Sequence, residues 1–398
     1  MHPFFISPLS PLTPCDCHEN PKQGSTVLRF SEVTSEAFSA YCEALKTAGF
    51  VPYYEREVAG NRFATYTTPC YEAHLAFYPV LGEMRVCHGC LSYLPPLEMP
   101  EAEAVIDVPT YTQMKLSNGG QSNVVQLTDG SYLIIDGGKM YSTDRDNLLA
   151  FLYAHKPSHH PKPRVAAWLI SHAHDDHMNL CMDFLQAHGK QIELQTFGYN
   201  FPDFESDIIQ SDTEVAQKNR QKRIKRILDE QFPTTALWLM HSGQRLLLPG
   251  CEVSVLMTWE DFWPQPMKTV NQTSFCLDMR FEGGKKLMLP TDAWAQLCDQ
   301  MATVYGDTLK SDVLQAIHHG LAGGSIPFYE KVRPEVVFWP QSPERVFSPE
   351  PIVVPDREKP IAVARQFAPN CWLLDRMERH YHHGETVTMD MKTLEVIS

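Results

Sequence analysis

The sequence predicts an α/β protein in which a small α+β unit precedes a larger α/β domain. Apolar, strand-like runs alternate with helical patterns between residues 110 and 200, which is typical of layered α/β folds. Several of these runs end in histidine or aspartate, and the carboxyl ends of strands are where α/β sheets place their sites. The proline-rich stretch Pro95–Pro100 separates the two parts.

Composition and charge limit the protein class. The chain has 398 residues, 43% apolar and 21% charged, and no apolar run approaches the roughly 18 residues of a membrane span. A net charge of −14 disfavours broad nucleic-acid binding, which needs a dense cationic surface. The first residues lack the basic and apolar regions of a secretory signal, and eleven cysteines, an odd number, fit reduced thiols. We therefore expect a cytoplasmic protein without a membrane anchor.

The amino-terminal part has its own pattern. Residues 1–24 are rich in proline and serine and are predicted to form a flexible arm. A strand at Thr26–Phe30 precedes a helix that Thr34 caps and Gly49 ends. Short aromatic and β-branched runs follow, at Val51–Val58, Arg62–Thr68, Glu72–Val80 and Glu83–Cys87. These elements predict a small α+β domain over residues 25–95, whose role is open between a substrate gate, a dimer contact and a lid.

The larger domain, residues 105–398, opens with a hairpin that ends in aspartate. Asp129-Gly130 lies between two apolar runs, a strong hairpin signal, and the second run ends in Asp136-Gly137-Gly138. An aspartate beside two glycines can approach a metal cluster and orient a histidine ligand. The alternative is that Asp136 belongs to an ordinary turn.

The densest group of potential ligands follows the apolar strand Val165–Ile170. The segment Ser171–Met178 contains three histidines and two aspartates, and helical periodicity resumes at Asn179, so we expect these ligands in a loop that opens a helix. Imidazole and carboxylate together suit zinc, manganese or iron.

Two later strands also end in potential ligands. The hairpin Ser274–Phe281 and Lys286–Leu289 leads to Asp292, and Asp312–Ile317 leads to His318-His319-Gly320. The remaining predicted elements are strands at Thr110–Leu116, Ser122–Leu127, Gln191–Tyr199, Arg245–Leu248, Glu252–Met257, Val336–Trp339 and from Thr386, and helices at Asp144–His155, Ile208–Glu230 and Pro360–Phe367.

Three other clusters have competing interpretations. Six cations between Lys218 and Arg226 either guide an anionic substrate or form a solvated helix face, which is the more frequent case. The pairs Cys15/Cys17 and Cys87/Cys90 are more often strand-end thiols than half of a zinc site. The histidines at positions 380, 382 and 383 are interpreted as a surface stretch.

The order of these strand-end motifs resembles the metallo-β-lactamase superfamily over residues 105–345. Asn271–Ser274, Leu289–Ala293 and Asp312–Gly320 look more narrowly like the hydrolase domain of competence DNA-uptake proteins and its soluble bacterial relatives. The resemblance implies a four-layer αβ/βα sandwich with two divalent metal ions, zinc first, with manganese or iron as alternatives.

The resemblance also implies roles for individual residues. His172 and His174 would bind the first metal, Asp176 and His177 the second, and Asp292 would bridge the two. The last ligand would be His319 or its neighbour His318. Catalytic roles fall to Asp176, as proton acceptor, and to His318, as substrate contact, while Asp136, Asn271 and Ser274 would support the ligands.

One position departs from the family pattern. The third histidine expected at the first metal is replaced by Val270, beside Asn271, so that Asn271, a water or the remote His241 would complete the site.

The implied activity is hydrolysis by a metal-bound hydroxide, on a phosphodiester or phosphate ester. The alternatives are a weakly catalytic or non-catalytic metal sensor of the same fold, a hydrolase of lactones or thioesters, and iron-dependent redox chemistry. Expected partners are a small-molecule or phosphodiester substrate, and homo-oligomerisation is left open.

Overall fold

The computed structural model describes residues 12–20, 24–206, 208–209, 214–321, 323–341, 372–373, 376–377, 379–382 and 384–398. Within these ranges the strands form a six-stranded, an eight-stranded and a seven-stranded sheet. No helix in the described part is long and apolar enough to cross a membrane.

The amino-terminal unit is an antiparallel sheet with one helix on it. Its elements are β1 (Asp16–Asn20), β2 (Ser25–Phe30), α1 (Ser35–Thr47), β3 (Val51–Val58), β4 (Asn61–Thr67), β5 (Tyr71–Tyr78) and β6 (Glu83–Cys90). The strand order is β1-β2-β6-β5-β4-β3. Thr34 caps α1 by accepting a hydrogen bond from the Ala37 amide, as its position before the apolar pattern predicts. The helix buries Phe38, Tyr41 and Leu45 against the sheet.

The predicted arm is wrong for part of its length. Residues 16–20 form five antiparallel residue pairs with β2 and make an edge strand, which the short polar sequence does not predict. Residues 1–11 and 21–23 lie outside the described part of the chain.

The second sheet has a parallel centre and carries its helices on one face. Its elements in chain order are β7 (Thr110–Gln113), β8 (Asn123–Gln126), β9 (Tyr132–Ile135), α2 (Ser142–His155), β10 (Arg164–Ile170), α3 (Asp175–His188), β11 (Glu193–Leu194), β12 (Thr196–Tyr199), α4 (Glu214–Gln231) and β13 (Ala236–Leu239). The strand order is β13-β12-β10-β9-β8-β7, and a carboxy-terminal strand extends it beside β7.

The third sheet is built from the rest of the chain. Its elements are β14 (Arg245–Leu248), β15 (Cys251–Met257), α5 (Trp259–Phe262), β16 (Cys276–Phe281), β17 (Lys286–Leu289), α6 (Ala295–Tyr305), β18 (Val313–Gln315), α7 (Ile326–Val332), β19 (Val336–Trp339) and β20 (Arg379–His382), with β21 (Val387–Asp390) joining the second sheet. The strand order is β14-β15-β16-β17-β18-β19-β20.

Alternation along the strands explains why the two larger sheets stack. Leu169 on β10 and Leu277 on β16 belong to a core between the sheets, whereas Trp168, one residue earlier on β10, faces the helices and packs edge-on against Phe184 of α3. Successive strand residues point to opposite faces, so both faces of each sheet are buried. The predicted four-layer αβ/βα sandwich is confirmed.

Several boundaries differ from the predictions. Helix α3 begins at Asp175, so Asp176 and His177 lie in its first turn and not in the preceding loop. Ile208 and Ile209 are not helical, and the described part of α4 starts at Glu214. Helix α6 had no counterpart among the predicted elements. The predicted helix at residues 360–367 and the histidine at position 383 lie outside the described residues.

Polar contacts attach the amino-terminal sheet to the larger domain. Tyr78 donates a 2.7 Å hydrogen bond to Asp261, and Arg85 donates to the carbonyl oxygens of Glu260 and Asp261. Glu83 accepts from Arg85 at 2.7 Å and also from a second arginine, Arg29. The sheet is therefore fixed on α5 through buried groups.

Candidate metal centre

The ends of four strands meet at one edge of the sandwich. The strands are β9, β10, β17 and β18, and backbone hydrogen bonds join the segments that follow them. The Gly137 amide donates to the His177 carbonyl at 2.7 Å, and the His318 amide donates to the Thr291 carbonyl at 2.9 Å. These backbone hydrogen bonds fix the ligand-bearing segments relative to one another.

The backbone is strained where these segments turn. Asp136, Thr291, His318 and His319 have φ values of 60°, 51°, 49° and 58°, in the left-handed region that non-glycine residues rarely adopt. Such conformations cost about 1–3 kcal/mol each and persist where the surrounding structure requires them. Their concentration at one sheet edge makes this edge a candidate functional site.

The first group of ligand atoms comes from His172, His174 and Asp292, which lie within 4.8 Å of one another. His172 Nε2 is 3.0 Å from His174 Nδ1 and 3.7 Å from Asp292 Oδ2. His172 is fully buried, and Ser171 Oγ lies 2.9 Å from its Nδ1. These three residues are the ones that the family resemblance assigns to the first metal.

The second group comes from Asp176, His177 and His319 and shares Asp292 with the first. His177 Nε2 lies 3.2 Å from both His319 Nε2 and Asp292 Oδ2, and His319 Nε2 lies 3.4 Å from Asp176 Oδ2. In a tetrahedral zinc site with bonds of about 2.0–2.1 Å, ligand atoms are about 3.3 Å apart. Two further pairs are wider: His177 Nε2 lies 3.9 Å from Asp176 Oδ1, and His319 Nε2 lies 3.6 Å from Asp292 Oδ2. Asp176, His177 and His319 therefore have the spacing of ligands to one ion, with Asp292 beside both histidines.

Asp136 fixes the orientation of His177. Its carboxylate accepts from His177 Nδ1 at 2.7 Å, from the Ser171 amide at 2.8 Å and from Ser171 Oγ at 2.8 Å. Because the single hydroxyl proton of Ser171 goes to Asp136, Ser171 Oγ accepts from His172 Nδ1. Each histidine thus keeps a lone pair on Nε2, and sequence reasoning had assigned no role to Ser171.

His319 is oriented in the same way by a backbone carbonyl. Its Nδ1 lies 2.9 Å from the Pro340 oxygen, which only accepts, so that Nε2 carries the lone pair. Two imidazole lone pairs and two carboxylates therefore face a common point. One proton can be shared by only two of these acceptor atoms, whereas one metal ion can be coordinated by all four side chains.

The electrostatics agree with this demand for positive charge. Burial opposes protonation of His177 and His319, but the Asp292 carboxylate outweighs it, raising the pKa of His177 well above its usual range and that of His319 to about 10. Burial also favours neutral Asp292, yet the neighbouring imidazoles hold its pKa well below normal. Asp292 Oδ1 is buried without a hydrogen-bond partner.

The remaining predicted residues surround this cluster. Asn271 Nδ2 lies 3.1 Å from His318 Nε2, and His318 Nε2 lies 3.8 Å from Asp292 Oδ2. Asn271 thus contacts His318 and not the first histidine pair, and its Oδ1 has no hydrogen-bond partner. Ser274 follows in the same turn, with its hydroxyl also buried and unpartnered. Val270 is fully buried in the same hydrophobic core as Trp168 and Phe184.

His241 does not complete the first site. Its ring stacks on His74 of the amino-terminal sheet at 4.1 Å, and its Nδ1 lies 2.9 Å from Glu260. The suggestion that it reaches His172 and His174 is wrong, because β13 ends beside the amino-terminal sheet.

One cation of α4 contacts the ligand loop. Arg220 donates to the Ala173 carbonyl at 3.0 Å and to Asn179 Oδ1 at 3.2 Å. Lys218 and Lys222 pair instead with Glu205. The cationic helix thus braces the loop through Arg220, a contact that the charge pattern alone does not reveal.

No protein-family model and no curated protein matches the sequence. Among solved structures, similar folds include a mutant of the CmlA β-hydroxylase, at 12% identity and a TM-score of 0.40, covering 72% of this chain and 55% of CmlA. The metallo-β-lactamase fold protein YhfI from Bacillus subtilis matches at 12% identity and a TM-score of 0.37, covering 58% and 85% of the two chains. The short form of human tRNase Z matches at 12% and 0.31, covering 57% and 91%.

The chain thus spans about half the length of CmlA. Two stacked sheets with helices outside, and histidine and aspartate ligands at the joined strand ends, give this chain the metallo-β-lactamase fold.

Proposed function

We propose that the protein is a metal-dependent hydrolase. The observation that carries the proposal is the convergence of Asp176, His177, His319 and Asp292 on one point, with the Nδ1 protons of both histidines committed elsewhere. Such a donor set, three or four N and O ligands with an adjoining second group, suits zinc, and manganese or iron as alternatives.

When bound, a pair of divalent cations supplies Lewis-acid polarisation and acidifies water toward neutral pH. The protein supplies position. Asp136 and Ser171 hold His177 and His172 in one tautomer, and Asp292, whose Oδ2 lies near both groups, is placed to join the two sites. The geometry thus fixes the ligands before substrate arrives.

Two residues can take part in substrate chemistry: Asp176, which is also in the donor set, and His318, which is not. The Asp176 side chain is 34% exposed and lies at the edge of the cluster, where it can accept a proton. The His318 side chain is 21% exposed and Asn271 contacts its ring, so that it can contact a substrate oxygen. Both residues face the solvent side of an otherwise buried site.

A phosphodiester or phosphate ester is the substrate class that we propose. The support is the motif likeness to the hydrolase domain of competence proteins and the presence of Arg220 beside the ligand loop. Lactones and thioesters are the alternative class, since the same ligands serve both.

The test uses chelator-stripped protein reloaded with zinc or manganese and bis-p-nitrophenyl phosphate as substrate. The wild type is expected to turn over, and Asp292→Ala to lose turnover, because the variant removes the carboxylate shared by the two groups. Asp299→Ala, on the exposed side of α6, is the matched control and is expected to behave as wild type. Absence of turnover by metal-loaded wild type on phosphodiesters, lactones and thioesters would overturn the proposal.

A metal-binding protein without turnover is the second candidate. The first ligand group supports it, because only His172, His174 and Asp292 assemble there among the described residues, and Val270 stands where a further histidine is expected. Tight zinc binding that Asp292→Ala weakens, without hydrolysis of any of the three substrate classes, would favour this candidate.

A further inference from the structure

A second cluster of ligand-type side chains, the junction cluster, lies between the amino-terminal sheet and the larger domain. Glu72 and His74 come from β5, Cys87 from β6, His241 from the segment after β13, and Glu260 from α5. All five are between 3% and 7% exposed. Burial of several ionisable groups is costly unless they are paired or bind a metal.

Three of these residues have the spacing of metal ligands. Glu72, His74 and His241 place their ligand atoms within 4.8 Å of one another. Glu72 and His74 are two residues apart on one strand and therefore share a face. Their Oε1 and Nε2 atoms are 3.4 Å apart, close to the roughly 3.3 Å edge of a tetrahedral zinc site.

Glu260 orients His241 as carboxylates orient metal-binding histidines. Its Oε2 lies 2.9 Å from His241 Nδ1 and also accepts from Thr258 Oγ1 at 3.1 Å. This leaves His241 Nε2 for a ligand. The carboxylate, imidazole and metal arrangement recurs in zinc proteins because it fixes the tautomer and raises ligand basicity.

The His74 ring has an unpartnered nitrogen in the cluster. Its Nδ1 lies 3.0 Å from Thr65 Oγ1 and 3.2 Å from Gln244 Nε2, whereas Nε2 is buried without a hydrogen bond. Gln244 Oε1 accepts from Trp238 Nε1 and from the His241 amide, so Gln244 Nε2 faces His74 Nδ1 and donates to it. Without an ion, His74 Nε2 therefore carries the ring proton and points at Glu72. Binding of an ion at Nε2 moves the ring proton to Nδ1, where Thr65 Oγ1 accepts it.

We propose that Glu72, His74 and His241 form a separate divalent-metal site, with zinc as the preferred ion. Two carboxylates, Glu72 and Glu260, balance the charge of one divalent ion. The three ligand residues and Cys87 line a cavity of about 580 Å³. This cavity provides an entry path for the ion and space for a fourth ligand. Because the ligands come from both units, the bound ion holds the amino-terminal sheet on the larger domain.

The proposal does not depend on the hydrolase function, and metal content tests it. Full-length protein is stripped with a chelator, reloaded with zinc, desalted and measured by plasma mass spectrometry. His74→Gln is expected to retain one zinc fewer per chain than wild type. His88→Gln, which alters another histidine of the same cavity, is expected to match wild type, and circular dichroism checks that both variants fold.

Equal zinc content in folded His74→Gln and wild type would overturn the proposal. If His74→Gln does not fold, crystals of zinc-loaded wild type measured at the zinc absorption edge decide the matter. An anomalous peak enclosed by Glu72, His74 and His241 is expected. A map without that peak overturns the proposal, whether or not zinc occupies the centre at Asp292.

Discussion

Asp136→Asn is expected to weaken metal binding at the second ligand group. Asp136 is fully buried and accepts hydrogen bonds from the Ser171 amide, the Ser171 hydroxyl and His177 Nδ1. An asparagine at this position replaces one acceptor oxygen by a donating amide. Either the amide faces the Ser171 N–H, or it faces His177 and favours the tautomer whose Nε2 is protonated.

The expected magnitude follows from these contacts. Loss of a group that orients a histidine ligand typically costs about 10–100-fold in metal affinity. One unsatisfied buried donor costs a further 1–3 kcal/mol, roughly, in the free energy of unfolding. Affinity is measured by zinc competition with a chromophoric chelator, and stability by urea unfolding of metal-free protein.

Asp144→Asn separates the two effects. Asp144 is 2% exposed and accepts from the Ser117 amide and hydroxyl, both at 2.7 Å, but contacts no histidine in the described part of the chain. Its variant is expected to lose similar stability and to keep wild-type zinc affinity. Asp136→Asn protein that binds zinc as tightly as wild type would refute the orienting role of Asp136.

Three further substitutions test how the site is held. Gly137→Ala is expected to lose about 1–3 kcal/mol of unfolding free energy, because the new Cβ would lie 2.6 Å from a backbone nitrogen of α3. Gly384→Ala is the control and is expected to keep wild-type stability, because the space around Gly384 is open. Equal urea midpoints for the two variants would contradict this prediction. Arg220→Lys keeps the charge but loses one of two contacts to the ligand loop and its helix, so the melting temperature should fall by an amount equivalent to about 1 kcal/mol, and an unchanged value would argue against bracing. Burial favours the neutral form of Glu83, but the guanidinium groups of Arg29 and Arg85 outweigh the effect of burial and lower the Glu83 pKa. The stability from these ion pairs is therefore present above the unfolded-state pKa of about 4.3 and is lost as the pH falls through the lower folded-state pKa. Glu83→Gln should accordingly be less stable than wild type at pH 7, by about 1 kcal/mol, with the difference shrinking below pH of about 4, and a constant difference would contradict the ion pair.

Strand positions were predictable because both faces of the larger sheets are buried. β14, β17 and β19 match the predicted runs in full, since each is a short apolar segment bounded by turn residues or charges. Polar edge strands were harder to predict than the apolar edge strand β14. β1 and β20 contain few apolar residues, so their pairing depends on the neighbouring strand and not on their own pattern.

The sequence by itself determined which side chains make up the candidate metal centre. Histidine and aspartate directly after buried strands could only reach the carboxyl edge of a sheet, which is why His172, His177, Asp292 and His319 lie together. Spacing along the chain indicated which residues meet, because strand ends are few and are fixed by hydrogen-bonded registers.

Only the tertiary structure decided how these groups are oriented and what lies elsewhere. The tautomer of His319 depends on the Pro340 carbonyl, 21 residues away, and the position of His241 depends on how β13 ends against β5 and β6. The junction cluster joins residues as far apart as Glu72 and Glu260. Such contacts arise from packing between sheets, which local periodicity cannot encode. For that reason the sequence pointed only to the candidate metal centre at Asp292, whereas the described part of the fold also assembles the junction cluster.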